Sequence, residues 1–347
     1  MAKYLMVYDF IKKLIDDDIL KVNMPIESEN ALSKKFGVSR QTVRQGIALL
    51  AKNGYVYSLQ GKGTYVKKAS KTKAMLIAVM TTYINDYIFP SIIKGIDGVL
   101  SKSKYSCTLN CTHNCHEKER EILEALIQKN ISGLIVEPVK SADTNPNLDF
   151  YKKLMKQGVK ILFIHSSYAA LPCACLEQDD FWGGYTAAKH LIDNGHRKIG
   201  GIFYIHDRQG HRRFYGYRKA LVDINAFNSS LSVWYESVSK NFEKDINMML
   251  LSKCSALIVY NEQLVPFVMD ILKSRNIFVP KDISLVSFDD SIIGALTVPK
   301  LTTIAHPKEK FGKMAANQML DMLKGEQQFE TVKITPILIT RESTGGV

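Results

Sequence analysis

Apolar residues at Leu5, Tyr8, Ile11 and Ile15 recur at three- and four-residue intervals, the spacing of one helical face, and predict a helix over residues 4–18. Two shorter helices follow. Ser28 opens one that Phe36-Gly37 ends, and Ser39 opens another that stops before Gly54. A hydroxyl ahead of a helix accepts from its unpaired amides, and glycine closes the last turn in a left-handed conformation. Along the second of them, Val43, Ile47 and Leu50 form one apolar stripe while Arg40, Gln41 and Arg44 point elsewhere. The stretch "YVYSLQGKGTYV" then alternates, turns at Gln60–Gly63 and alternates again, as a small hairpin does. Residues 67–74, "KKASKTKA", have no periodicity and read as a linker between a domain at 1–66 and one at 75–347.

Beyond the linker the period changes. Continuous apolar runs at 75–80, 105–109, 133–137, 160–164, 199–204, 255–259, 283–288 and 301–305 read as buried parallel strands. Helical stretches at 90–102, 117–129, 147–157, 181–194, 212–223, 263–275 and 308–324 separate most of them. Strands alternating with helices mean crossover units. About 270 residues is long for one doubly wound sheet, so two α/β lobes with a cleft between them are expected.

Charge sharpens the division. The chain carries +12, and residues 1–73, with 14 Lys/Arg against 6 Asp/Glu, hold +8 of it. A compact basic segment is the footprint of a polyanion, nucleic acid first. No apolar run approaches the roughly twenty residues of a membrane span, and nothing resembles an export signal, so cytoplasm is expected. The six cysteines are then reduced thiols. Cys107, Cys111 and Cys115 lack the two-residue spacing of a zinc knuckle, and Cys107 and Cys111 are expected to share a buried strand face.

Two short helices joined at a glycine make a helix-turn-helix, whose second helix enters the major groove. Arg40 and Arg44 suit guanine or phosphate, Gln41 and Thr42 are short donors, and Lys62 on a glycine-rich tip can meet the backbone. The whole run "MPIESENALSKKFGVSRQTVRQGIALLAKNGYVYSLQGKGTYV" resembles the winged helix of GntR-type transcription regulators. That resemblance implies Ser28 and Glu29 beside the DNA, Arg40, Thr42 and Arg44 on the recognition helix, and Gln60, Gly61 and Lys62 in the wing. Lys3 and Tyr4 are weaker phosphate candidates.

In open parallel sheets, ligands bind at the carboxyl ends of the strands. The loop "TTYINDYIFP" supplies Tyr83, Asp86, Tyr87 and Phe89 there, and later strand ends supply Glu137, His165, Arg212, Arg213, Asn261, Glu262, Asp289, Asp290 and His306. "EQDDFWGG" adds Asp179, Asp180 and Trp182. Any one of these acids can be a helix cap. Acceptors, fork donors and rings together suit a small polyhydroxylated ligand, with carboxylates on hydroxyls and rings on the C–H face.

The segments "DDFWGGYTAAKHLIDNGHRKIGGI", "RRFYGYRKAL", "ALIVYNEQL", "VPKDISLVSFDDS", "LTTIAHP" and "LITREST" resemble the LacI-type sensor, related to periplasmic sugar-binding proteins, over roughly residues 75–344. By that resemblance Arg213, Asn261 and Asp289 hold the effector, and His306 lines the same cleft. Glu262 stands where Asp is usual, and Ser287 where Gly is usual. A GntR-type winged helix on a LacI-type sensor is an unusual pairing. That pairing, with "TTYINDYIFPSIIKGI" and "GLIVEPVKSA", resembles sugar-responsive repressors of Gram-positive bacteria, and this resemblance, not the residue chemistry, implies L-arabinose as the effector of a homodimeric repressor of double-stranded operator DNA. The alternatives are a regulator answering another sugar, a sugar phosphate or a purine, an enzyme with a DNA-binding appendage, and a transport binding protein. No nucleophile elbow, zincin, P-loop or complete dinucleotide fingerprint supports an enzyme, and no cofactor is implied.

Overall fold

The computed structural model describes residues 3–17, 19–67, 75–85, 88–325 and 330–347. The chain divides into two compact units, Met1–Ala74 and Met75–Val347. The linker expected over residues 67–74 lies, beyond Lys67, outside the described residues.

The first unit comprises α1 (Lys3–Asp16), α2 (Glu29–Phe36), α3 (Arg40–Lys52), β1 (Val56–Leu59) and β2 (Gly63–Val66). Ser28 and Ser39 cap α2 and α3 by accepting from the backbone N–H of Ala31 and Thr42, and Gly37 ends α2 in the left-handed region. Leu32, Val43 and Leu50 meet Val7 and Ile11 in the core. The buried face of α1 centres on Val7 and Ile11, while Leu5, Tyr8 and Ile15 are only half-buried. In the wing Val56 faces Val66, and the Ile26 N–H donates to Thr64 O at 2.9 Å, adding a third short segment.

The second unit holds two lobes. Lobe one is built from β3 (Leu76–Thr81), α4 (Phe89–Leu100), β4 (Ser106–Cys111), α5 (His116–Gln128), β5 (Gly133–Val136), α6 (Leu148–Lys156), β6 (Lys160–Ile164) and β7 (Ala174–Gln178). Lobe two contains α7 (Asp180–Asp193), β8 (Ile199–Tyr204), α8 (Arg208–Val222), β9 (Ser232–Tyr235), α9 (Lys240–Leu251), β10 (Ala256–Val259), α10 (Val265–Lys273), β11 (Ser284–Asp289), α11 (Ile292–Leu296) and β12 (Thr302–Ala305). The chain then returns to lobe one with α12 (Lys308–Lys324) and β13 (Thr331–Ile334), and ends in lobe two with β14 (Ile337–Ile339).

The sheet orders are β13-β7-β6-β5-β3-β4 and β14-β12-β11-β10-β8-β9. Every pairing is parallel except β14 on β12, an antiparallel edge. Parallel register brings the carboxyl ends of each sheet to one edge, and apolar cores cover both faces of each. Strand β4 lies at an edge, so Cys107 is exposed and Cys111 half-buried; neither is the core residue that strand alternation predicts.

One crossing positions the cleft directly. Helices α7 and α8 pack backbone to backbone at Gly184 and Gly216. A Cβ at Gly216 would overlap the carbonyl oxygen of Phe181, and one at Gly184 that of Arg213. Only hydrogen fits at either position.

Candidate functional site

A cavity of about 290 Å³ lies between the two sheet edges of the second unit. Lobe one contributes Tyr83 and Phe89 after β3, Glu137 after β5 and His165 after β6. Lobe two contributes Arg213 from α8, Asn261 after β10 and Asp289 at the end of β11. These seven residues, far apart in sequence, converge as the strand-end rule requires.

Arg213 anchors lobe two. It is 2% exposed; Nε donates to Asp180 Oδ1 at 2.8 Å and Nη1 to Tyr260 O at 2.6 Å, while Nη2 stands 3.8 Å from Asp289 Oδ1. The guanidinium also stacks on Phe288, 4.2 Å from its ring centre. Burial pushes the Asp180 carboxyl up, and Arg213 pulls it back. Asp180 thus backs Arg213 and does not line the cavity. Asp289 has φ of 101° and Asp290 of 50°. Side chains resist this region, so something must hold it. Lys308 does so, donating from Nζ to the carbonyls of Asp289 at 2.6 Å and Asp290 at 2.7 Å.

Lobe one holds a buried polar chain. Glu137 accepts from the backbone N–H of Thr82 at 3.1 Å and from its hydroxyl, and His165 Nδ1–H donates to Glu137 Oε1 at 2.8 Å. The facing Nε2 atoms of His165 and His306 lie 3.2 Å apart, so one proton is shared between them. Both rings pack on Phe311. Burial, and then His165, lower the His306 pKa well below its ordinary value. His306 therefore stands behind His165 and not on the cavity wall where resemblance puts it.

Trp182 is also away from the wall. It is 52% exposed and packs on Phe181 and Tyr185, because two residues along α7 from the inward-facing Asp180 point to the opposite side. Asp179 caps α7 through the Trp182 N–H at 3.3 Å. Asp86 and Tyr87 lie outside the described residues. Glu262 turns from the cavity to α11, accepting from Ser291 N at 2.6 Å and Gly294 N at 3.2 Å. Its extra methylene beside the family's usual Asp is absorbed there, away from the ligand space.

Several wall residues were not expected. Tyr204 ends β8, Tyr260 follows β10, Tyr235 ends β9 and Glu236 follows it. The three tyrosine rings contact one another at 5.2–6.2 Å. Asp207, held by the Tyr260 hydroxyl at 2.9 Å, faces lobe one. Burial and then Glu137 push its pKa up to about 6. Tyr204, Asp207 and Tyr260 sit at or beside strands that the pattern predicts and were legible; Tyr235 and Glu236 lie at the end of β9, a strand that the pattern does not predict.

On the first unit, Arg40, Gln41 and Arg44 are exposed on α3, and Gln60, Gly61 and Lys62 on the wing tip. Arg44 Nε donates to both Glu29 carboxylate oxygens, at 2.9 and 3.1 Å, and Arg40 Nη2 lies 3.9 Å from the same carboxylate. Ser28 and Thr42 are engaged at helix starts. Lys3 opens α1, with Tyr4 half-buried beside it. Among the described residues no group of three or more His, Cys, Asp or Glu is arranged to hold a metal. No helix among them is long and apolar enough to cross a membrane.

Residues 3–66 match the family described as bacterial regulatory proteins, gntR family, and residues 188–344 the periplasmic binding protein-like domain. The arabinose metabolism transcriptional repressor of Halalkalibacterium halodurans is 36% identical, covering 97% of this chain and 96% of its own. That of Geobacillus stearothermophilus is 33% identical, covering 99% and 98%. A LacI family transcriptional regulator from Enterococcus faecium, solved with bound ribose, shares the fold at a TM-score of 0.67 and 24% identity, covering 78% of this chain and 99% of that one. With a winged helix, a two-lobed sensor and such identity along nearly the whole of both repressors, the chain belongs to the family of arabinose metabolism transcriptional repressors.

Proposed function

We propose that the protein represses transcription by binding operator DNA through α3 and the wing, and that L-arabinose in the interlobe cavity releases it. The observation that carries the sugar reading is the convergence of Glu137, Asp207 and Asp289 with the tyrosine rings around one space of about 290 Å³. Carboxylates take hydroxyl donors, Arg213 offers a fork to a ring or hydroxyl oxygen, and the rings cover C–H faces. The same set disfavours a sugar phosphate. Glu137, Asp207, Glu236 and Asp289 all face the cavity, while Arg213 is already shared with Asp180 and Asp289. The two repressors of like name support arabinose over other pentoses. Catalysis has no such support; the relatives are named repressors.

The repressor acts as a homodimer, whose two-fold axis matches a palindromic operator. Ile292, Leu296 and Val298 are 69%, 73% and 90% exposed on lobe two, an apolar edge suited to a partner copy. A tenfold loss of operator affinity needs only about 1.4 kcal/mol of differential sugar binding.

The test is a duplex selected in vitro against the full-length protein, followed by gel shifts and calorimetry. L-arabinose should release the duplex at lower concentration than ribose, xylose or glucose. Asp289→Ala should weaken arabinose binding about tenfold or more, the scale of a charge-assisted hydrogen bond, with DNA affinity unchanged. Arg44→Ala should do the converse. Arabinose that neither binds nor releases the duplex would sink the proposal.

A further inference from the structure

A second cavity, of about 600 Å³, lies beside the first, also between the lobes. One wall is a stripe of α8 bearing Arg208, His211 and Arg212; the other is the β5–α6 loop with Ser141 and Thr144, and the turn at Ala169. Around it the lobes are joined directly. The Ala142 N–H donates to His206 O at 2.9 Å, the Arg208 N–H to Ser141 Oγ at 3.0 Å, and His206 Nδ1–H to Asp143 at 2.7 Å.

The charge of this cavity is opposite to that of the first. Arg208 is fixed by a bond from Nη1 to Ser167 O at 2.9 Å, and among the described residues no carboxylate pairs with it. Arg212 is braced by Glu177 at 2.5 Å. Asp143, the acid on the wall, is occupied by His206. A guanidinium held in place but not neutralised, as Arg208 is, has the geometry that recognises phosphate, and Arg212, one helical turn along and paired with Glu177, frames the space beside it. The apolar alanine wall leaves room for a carbon skeleton.

We propose that this cavity is a second effector site, for a small phosphate-bearing metabolite that bridges the two lobes. The proposal rests on the interlobe geometry and not on the identity of the sugar in the first cavity. Because the anion touches both lobes at their junction, it favours the same lobe arrangement as a ligand in the cleft. By linkage each ligand then raises the other's affinity by an equal factor. The two cavities sort ligands by charge: neutral polyols to the acidic one, phosphates to the basic one.

The experiment titrates ribose 5-phosphate, inorganic phosphate and ribose into the full-length protein by calorimetry, first alone and then with saturating L-arabinose. Ribose 5-phosphate or inorganic phosphate should bind in both conditions, more tightly with arabinose present. Arg208→Ala should weaken that binding at least tenfold. Ala169→Glu places a repelling charge on an exposed residue outside the core and should have the same effect, which keeps the test open if Arg208→Ala does not fold. Arg44→Ala should leave it unchanged, separating the site from the DNA-binding face. Three results would overturn the proposal: no phosphate heat at millimolar concentration, competition with arabinose, or indifference to both cavity substitutions. Failure of arabinose alone to bind would count against the cleft reading and leave the phosphate result legible.

Discussion

Asp207 looks across the cleft at Glu137, with Arg213, His206, Tyr204, Tyr235 and Tyr260 also near it, and its pKa stands at about 6. A free aspartate loses its proton near 4. Between roughly pH 4 and 6 the folded protein therefore holds a proton that the unfolded chain has released, and this group's contribution to stability falls as pH rises through that window. Sugar binding has the opposite sign. A hydroxyl donates best to the ionised carboxylate, so binding expels the proton and arabinose affinity should rise from pH 5 to 7. Asp207→Asn should remove most of that slope. Calorimetry in buffers of different ionisation enthalpy measures it, and a flat wild-type profile would show that Asp207 accepts nothing from the ligand. At this same scale the limits of sequence reading are visible. Arg213, Asn261 and Asp289 stand on the cavity wall as their motifs imply, whereas His306 and Asp180 sit one contact behind it. A strand-end rule places backbone; it cannot tell which side chain faces the space and which supports its neighbour.

Among elements, the crossing of α7 and α8 controls where Arg213 stands. Gly216→Ala must push the helices apart, at a cost of about 1–3 kcal/mol for an overpacked contact. Thermal unfolding should detect the loss, and sugar affinity should fall with it because Arg213 moves. Gly98→Ala, in α4 with open space around it, is the control and should be neutral or stabilise by up to about 1 kcal/mol. Equal effects at the two positions would mean that helix propensity and not the crossing decides the outcome. The sequence pattern locates α12 to the residue and the interior strands closely, because a strand buried on both faces is an unbroken apolar run. It passes over β9, β13 and β14, which lie at sheet edges, and β7, whose "ACLEQ" carries polar residues at its end. With β9 not predicted, Tyr235 and Glu236 had no strand end to belong to.

For the whole molecule, the proposed repression has two copies acting together. Leu296→Asp, on the exposed apolar edge, should convert the dimer to a monomer by light scattering. Operator affinity should fall by well over tenfold, because the second half-site is then bound independently. A variant that stays dimeric would move the interface elsewhere. The chain passes between the lobes three times, at 178–180, 305–308 and 334–337, so neither lobe is a continuous stretch of sequence. During synthesis the winged helix emerges first and can fold at once. Neither sheet is complete until β13 and β14 leave the ribosome, since each supplies an edge strand to one of them. A message that stops short of residue 330 therefore produces a DNA-binding module attached to two unfinished lobes, and the cell never makes half a sensor that still answers to sugar.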